Sequence, residues 1–504
     1  MNKINVKKLI YIITVFITVY FSWLITHRYF PVEPDAANSP LVWRALMNEG
    51  AAVFKDWAPT PDNWYFTVYP INFIFFMLSG SDGIASLTAS TSFFVAFTAI
   101  ILAAIVCFTT KSWHAVFILF SLIFLPAYLY TYGFVAHPFS HYSTNFFGVV
   151  CLALAVYNIK KNSTILAGVY SIIAVFSAVS DPWFSATYFL PLLLTHGYFT
   201  WKKVISLKST TYVFVAFVLS MTHVIPRMLG LPIQRFKLVP LEQWLANAEW
   251  TCHILGRSLN LFFVDNPIAW IASLIIWVGL TIWALYICLR QQEKRIVFIS
   301  LFSFLTISAI ISSFIVSYDS PAEISARFFV NAICFVVVLV TLLLSFSKNI
   351  IPGIVLTLYI ASSLYSYHVH TRPLYDQKQQ TYDYINFLEK NNLTYGYADF
   401  WAFSNSVNWL TEGRVHITSV LFKDDYSIDF SSSRSQTMRS WLTEDFIRST
   451  PERQFIAIPA VNSEGNAEAN FRIQAIEKQF GKSDEQLPFQ NMIILIYNHQ
   501  LAIR

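Results

Sequence analysis

The chain has 504 residues, of which 55% are hydrophobic, 17% aromatic and only 12% charged, with a mean hydropathy of +0.50. A soluble domain carries about 25% charged residues, and disordered, coiled-coil or disulfide-rich chains need polarity, heptad charges or dense cysteine that this sequence lacks. The composition is that of a polytopic α-helical membrane protein, and its 34 Lys and Arg against 29 Asp and Glu form no basic, aromatic-interleaved cluster suited to nucleic acid.

Crossing roughly 30 Å of hydrocarbon takes about 17 to 25 apolar residues. In chain order such runs are predicted at about 9–26, 84–108, 114–133, 143–157, 163–180, 185–200, 211–228, 267–289, 296–317, 328–346 and 350–367, eleven in all. The first lacks a small-x-small cleavage site behind it and reads as a retained anchor. The spans 143–157 and 185–200 are short and are expected to be extended or tilted. With the N-terminus inside, the eleven spans place 13 Lys and Arg on the cytoplasmic side, Lys111, Lys161 and Lys348 among them, against one acid, Glu293. The outer side of the first 370 residues then holds eight basic residues and 12 acids, the asymmetry of positive-inside threading. The stretch 65–79 is short and Pro-interrupted and is expected to lie on or in the outer surface. Of the five cysteines only Cys252 falls in an outer loop, so no disulfide is predicted.

Residues 371–504 hold 16 acids and 13 bases, 29 of the 63 charges. A membrane module, 1–370, with an outer first loop, 27–83, is therefore expected to give way to an exported α/β domain, 371–504. Within that domain helices are predicted at about 376–391, 434–448 and 464–480, and short apolar strands at 395–399, 415–420, 455–459 and 492–497.

The chain has only 15 glycines, no G-x-x-x-x-G-K run and no H-E-x-x-H, C-x-x-C or G-x-S-x-G motif, so nothing marks a nucleotide loop, a metalloprotease, a redox pair or a serine hydrolase. The chemical candidates are acids, bases and aromatic residues at the outer membrane boundary. The first outer loop opens with Pro31-Val32-Glu33-Pro34-Asp35, continues through Trp43-Arg44-Ala45-Leu46-Met47-Asn48-Glu49-Gly50, and reaches Asp62-Asn63-Trp64-Tyr65-Phe66-Thr67-Val68-Tyr69-Pro70. A second acid stands in Ser180-Asp181-Pro182-Trp183, where a carboxylate beside the bilayer must be paired or solvated. In the tail, Asp399-Phe400-Trp401 ends a strand; ring faces stack on pyranose C–H surfaces and carboxylates bind hydroxyls, so Asp399 and Trp401 suit a sugar. As plain structure, Glu33, Asp35 or Asp399 would cap helices, Asp181-Pro182 would end one, and Trp401 would be core.

An acid just after the first helix, a helix with Arg and Met, a Gly, a Trp, a Tyr-Phe-x-x-x-Pro segment and an apolar helix ending in Gly80 together resemble the first extracytoplasmic loop of GT-C-type glycosyltransferases. These multi-spanning enzymes take a sugar from a polyprenyl-phosphate carrier. In length, helix number and C-terminal domain the whole chain is similar to bacterial serotype-converting O-antigen glucosyltransferases. The resemblance implies that Asp35 is the catalytic acid, with Glu33 as its competitor. For Asp181 it implies a role in binding the acceptor or in holding a divalent cation, and the two stay open. Arg327, in Ser325-Ala326-Arg327-Phe328-Phe329, looks like the Arg-aromatic-aromatic element of related transferases and is the first candidate for the donor phosphate. Arg227, Arg235, Lys237, His137 and His141 are alternatives, each of which could instead meet lipid headgroups. Trp64 and Tyr65, with Asp399 and Trp401, are candidates for the acceptor. Relatives with a Lys in the Tyr-Phe segment have no equivalent here, because Thr67 and Val68 stand there.

These features lead to an expected hexosyltransferase of the bacterial inner membrane. It would move glucose from a polyprenyl-phosphate donor to a lipid-linked polysaccharide on the periplasmic face, with separate proteins making and flipping the donor. A flippase would need ionisable groups along a midplane path, whereas the centres of the predicted spans are nearly free of acids and cations. An O-antigen polymerase or ligase would carry its large outer loop between spans.

Overall fold

The computed structural model of the protein describes residues 3–369, 375–459 and 466–501. The boundary expected at residue 370 lies outside the described residues. The chain divides into two compact units, one of Met1–Phe30, Pro61–Phe75 and Ala85–Pro373, the other of Pro31–Thr60, Phe76–Ile84 and Leu374–Arg504.

The first unit is helical. Among the described residues, Tyr11–Tyr29, Ile84–Thr110, His141–Lys161, Pro267–Cys288 and Lys294–Ser317 are long and apolar enough to cross a membrane, and Thr164–Ser180, Leu207–Met221 and Val330–Phe346 are shorter apolar helices. Phe16, Ile165, Ile268 and Ile275 are 67–81% exposed on such helices, a placement that suits lipid rather than water. The helix Val330–Phe346 is buried at every position from Val330 to Leu343 and forms the centre of this unit.

Local chemistry explains where helices depart from the predicted runs. The run 114–133 is interrupted: Val116–Ile123 ends at Phe124, and Pro126, which has no N–H to give, precedes a separate turn Ala127–Thr131. The run 185–200 opens as a π-helical turn, Ser185–Phe189, before Leu190–Trp201. Gly148 on a neighbouring helix makes room for that turn, since a Cβ there would stand 2.2 Å from the Tyr188 ring. The run 211–228 stops at Met221, and His223, at φ +53°, redirects the chain into Val224–Met228. Residues 65–79 contain a twelve-residue helix, Val68–Ser79, and the loop 229–266 contains Leu241–Ser258, a helix the hydropathy of the sequence does not reveal.

The second unit holds a five-stranded sheet in the order β2 (His416–Ser419), β1 (Tyr395–Ala398), β5 (Gln454–Pro459), β7 (Met492–Tyr497) and β6 (Glu485–Phe489). β1 runs parallel to β2 and β5, and β7 antiparallel to β5 and β6; β3 (Leu421–Phe422) and β4 (Ile428–Asp429) form a separate small ribbon. Alternation along β5 and β7 builds a core on each face. Phe455, Ala457, Ile494 and Ile496 pack with Tyr384 and Leu388, while Ile456, Ile458, Leu495 and Tyr497 pack with Ile476. β6 escapes notice in the sequence because it is a polar edge strand carrying Pro488, tolerated where no outer partner strand needs its N–H. The helix expected at 434–448 is instead a 3₁₀ turn, Arg439–Leu442, and a short helix, Glu444–Arg448, capped by Thr443. Its leading residues are drawn into pairing with the first loop, where Ala58 N donates to Thr437 O at 2.9 Å and Trp57 bridges Met438.

The first loop is fastened into this unit at a second point. Arg44 grips the Asp82 carboxylate with two nitrogens, at 2.5 and 3.0 Å, and donates to the Trp409 carbonyl at 2.9 Å, while the Trp409 indole donates to the Asp82 carbonyl at 2.9 Å.

His416, which opens β2, lies flat on Tyr395 with centroids 5.5 Å apart and edge-on to Trp441 at 4.6 Å. Burial pushes its pKa down from 6.5 to about 4. The unfolded imidazole takes a proton that the folded one refuses, so stability is complete above the unfolded value and is lost as pH falls from about 6.5 toward 4, by up to about 3 kcal/mol. Amide-exchange protection of β1 and β2, corrected for intrinsic rates, should drop between pH 7 and pH 5 in the solubilised full chain. His416→Phe should flatten that dependence; an unchanged profile would remove His416 as its cause.

Candidate active site

In the first unit, the helix Thr164–Ser180 ends at Asp181, with Pro182 blocking its continuation. Asp181 is 1% exposed, and its carboxylate is fully engaged: Oδ1 accepts from the Trp183 N–H at 3.0 Å, and Oδ2 lies 2.7 Å from His141 Nδ1. His141 opens the helix His141–Lys161, whose N-terminus is capped by Ser140. An acid expected to need a partner at the bilayer edge has one, and the partner is a histidine that the sequence places among the phosphate ligands.

The segment around Trp64 is tied to the same helix end. Asn63 Nδ2 donates to Val179 O at 2.7 Å, and Phe66 N to Ser180 Oγ at 2.9 Å. Trp64 itself sits at φ +64°, a left-handed conformation that a tryptophan adopts only when its surroundings enforce it. Its buried ring rests against Phe139, 5.7 Å away, and Tyr65 is half-buried beside Tyr69. His137 is buried, and its Nδ1 accepts from Phe139 N at 3.0 Å.

Arg327 lies in the 3₁₀ turn Glu323–Phe328 that leads into Val330–Phe346. Its guanidinium faces the rings of Phe328, at 5.0 Å, and Phe134, at 5.8 Å, and its buried Nε has no hydrogen-bond partner among the described residues. Phe328 in turn packs against His141, at 4.9 Å, and Trp183, at 5.0 Å. Arg327, His141, Asp181 and Trp183 are thus joined through one phenyl ring.

The turn that carries Arg327 is anchored by a network that sequence reasoning missed. Glu323 accepts from Tyr128 Oη at 2.6 Å and Arg257 Nη1 at 3.1 Å, and lies 3.0 Å from His253 Nε2. Arg257 also holds Asp265 at 2.9 Å and lies over Tyr128 at 4.5 Å. Burial alone would depress the Arg257 guanidinium, but its hydrogen bond to Asp265 and the charges of Asp265 and Glu323 raise its pKa overall. A small cavity of about 40 Å³ adjoins this pair, lined also by Asn260, Ser362 and Tyr365.

The remaining cationic candidates lie apart. Arg227 is exposed on Val224–Met228, and Arg235 and Lys237 are exposed on the extended segment that follows. Lys237 borders a groove of about 290 Å³ whose walls are Leu190, Phe217, Met221, Phe236 and Val316, with the π-turn residue Ser185 at one side. In the second unit, Glu33 and Asp35 are half-buried in the tight turn that follows the first helix, where Ala36 N donates to Glu33 O and Asn38 N to Asp35 O. Asp399 follows β1 and accepts from Trp401 N at 2.9 Å; Trp401 is 57% exposed, and Phe400 is buried under Arg434 at 4.5 Å.

No family model and no curated protein sequence matches the chain. Solved structures do. ArnT from Cupriavidus metallidurans, determined bound to undecaprenyl phosphate, superposes with a TM-score of 0.53 at 10% identity, covering 96% of this chain and 97% of its own. The Archaeoglobus fulgidus oligosaccharyltransferase tethered with an acceptor peptide reaches 0.47 at 10% identity, covering 96% and 74%. The same organism's AglB in complex with an inhibitory peptide and a dolichol-phosphate reaches 0.47 at 9%, covering 88% and 69%. At such identity the likeness to ArnT is one of fold alone: the chain shares that fold over 96% of its length, and among the described residues five of its helices are long and apolar enough to cross a membrane.

Proposed function

We propose that the chain is a GT-C-type glycosyltransferase that moves one hexose, glucose, from a polyprenyl-phosphate carrier to a lipid-linked O-antigen or related glycan. It acts on the periplasmic face of a bacterial inner membrane, with eleven spans, a cytoplasmic N-terminus and a periplasmic α/β domain. The observation that carries the reading is Arg327. It is a cation whose buried Nε has no partner among the described residues, near the rings of Phe328 and Phe134, the first of which also packs on His141 of the Asp181–His141 pair, in a chain that has the fold of a protein solved with undecaprenyl phosphate bound.

The chemistry assigns the roles. Asp35 takes the proton of the acceptor hydroxyl as its oxygen attacks the anomeric carbon, Glu33 being its competitor. The bond from that carbon to the phosphate oxygen breaks, and configuration inverts in the single displacement. The polyprenyl phosphate departs with the electron pair and needs no general acid, unlike the sugar alkoxide released by a glycosidase. Arg327 offsets the charge developing on the phosphate. The apolar groove bordered by Lys237 suits a prenyl tail, and Lys237 is an alternative to Arg327 for the phosphate. Arg227, Arg235, His137 and His141 remain alternative phosphate contacts. Asp181, Trp64, Tyr65, Asp399 and Trp401 serve the acceptor, and a divalent cation at Asp181 is the alternative for that residue. Donor synthesis and flipping belong to separate proteins.

Lipopolysaccharide from cells expressing the chain with a donor synthase and flippase should carry repeat units heavier by one hexose than those of cells without it. Unchanged masses in a competent host would remove the O-antigen reading.

A further inference from the structure

At the opposite end of the first unit from Asp181, a groove of about 550 Å³ lies between the Trp113–Ile123 region and the start of the helix Ile351–Val369. Its walls are apolar, built from Phe117, Leu344, Ile354 and Leu358, and its rim is polar. Lys348 stands on that rim, exposed and without an ion pair among the described residues. His114 lines the groove with its Nδ1 buried and without a hydrogen-bond partner among the described residues, and Trp113, 61% exposed, flanks it. The first turn of Ile351–Val369 adds the positive end of a nineteen-residue helix; Asn349 Oδ1 takes the Ile351 N–H at 2.9 Å, Pro352 has no N–H, and the Ile354 N–H goes to Ile350 O at 3.0 Å, which leaves the Gly353 N–H for a ligand.

We propose that this groove binds an anionic phospholipid of the cytoplasmic leaflet, acyl chain along the apolar wall and headgroup phosphate on Lys348 at the helix N-terminus. Charge complementarity selects the occupant. By the threading of the basic residues this end faces the cytoplasm, and the one acid on that side, Glu293, is already held by Arg295 at 3.0 Å and Lys160 at 4.0 Å. The counter-charge for Lys348 therefore comes from outside the chain, and the anionic inner leaflet supplies it beside an aromatic of the kind that settles at headgroup level. A zwitterionic lipid would satisfy the wall but bring its own cation to the rim. The inference is independent of the transfer reaction and shares only the side assignment with it.

Native mass spectrometry of the delipidated full-length protein, titrated with dioleoyl phosphatidylglycerol or dioleoyl phosphatidylcholine, tests it without any catalytic readout. Phosphatidylglycerol should bind at least about fivefold tighter than phosphatidylcholine, the effect of one well-placed lysine at a headgroup. Lys348→Glu should abolish that preference, whereas Lys161→Glu, the same charge change elsewhere on this side, should leave it. Gly353→Leu, directed into the groove beside Leu344, should weaken both lipids. Equal binding of the two lipids by the unaltered protein, or an equal loss in both charge variants, would overturn the proposal, as would displacement of phosphatidylglycerol by millimolar inorganic phosphate.

Discussion

Asp35→Asn is expected to lower hexose transfer by about 10²- to 10⁴-fold, the range a positioned general base contributes, with little change in the apparent affinity for the donor. The asparagine keeps the volume and hydrogen-bonding reach of the aspartate but cannot accept the acceptor's proton. The backbone of the turn should survive, because Ala36 N donates to the Glu33 carbonyl and Asn38 N to the Asp35 carbonyl, bonds that the substitution leaves in place. Glu33→Gln, two residues away in the same turn, is the internal control and should cost less than tenfold. Transfer would be measured as hexose incorporated per unit of membrane-inserted protein. Full activity in Asp35→Asn would end its assignment, and a collapse in Glu33→Gln alone would move the base to Glu33.

How much of this was legible in the sequence depends on whether a residue's role is local. Asp181 was legible because Asp-Pro at the end of an apolar run marks a helix end. Its partner was not, because His141 lies forty residues earlier and enters the site only when two helices pack side by side. The network on Glu323 shows the same limit more strongly. Its partners Tyr128, His253 and Arg257 are 195, 70 and 66 residues away, on elements with no shared period, and Arg257 and His253 ride on a helix, Leu241–Ser258, of too mixed a character to register as a span. Strands with alternating apolar residues, β5 and β7, were legible to within a residue; the polar edge strand β6 was not. The turn at 434–438 failed as a helix because first-loop backbone claims its hydrogen bonds, a tertiary effect that local propensity cannot carry. Trp64 gave no warning of its left-handed backbone, which arises from contacts with residues 179 and 180.

The second large effect is expected at Arg327. Arg327→Gln should reduce kcat/KM for the polyprenyl-phosphate sugar by about 10²- to 10³-fold, the loss seen when one preorganised donor to a developing negative charge is removed. The geometry predicts how the conservative variant behaves. A planar guanidinium near the rings of Phe134 and Phe328 presents its N–H groups in a fixed direction, and Arg327→Lys replaces it with a mobile point charge that keeps the attraction and loses the fork. Arg327→Lys should therefore recover part of the rate, chiefly in kcat, and fall between Gln and the unaltered protein. Glu323→Gln separates direct contact from positioning. The carboxamide can still accept from Tyr128 but no longer offsets the Arg257 charge, so the turn carrying Arg327 loosens while Arg327 remains. Its loss should be smaller than that of Arg327→Gln and should largely vanish in the Arg327→Gln background, where there is nothing left to position. Independent, additive losses would show that Glu323 serves the fold alone, and an Arg327→Gln enzyme within threefold of the unaltered protein would place the phosphate elsewhere, with Lys237 the next residue to replace.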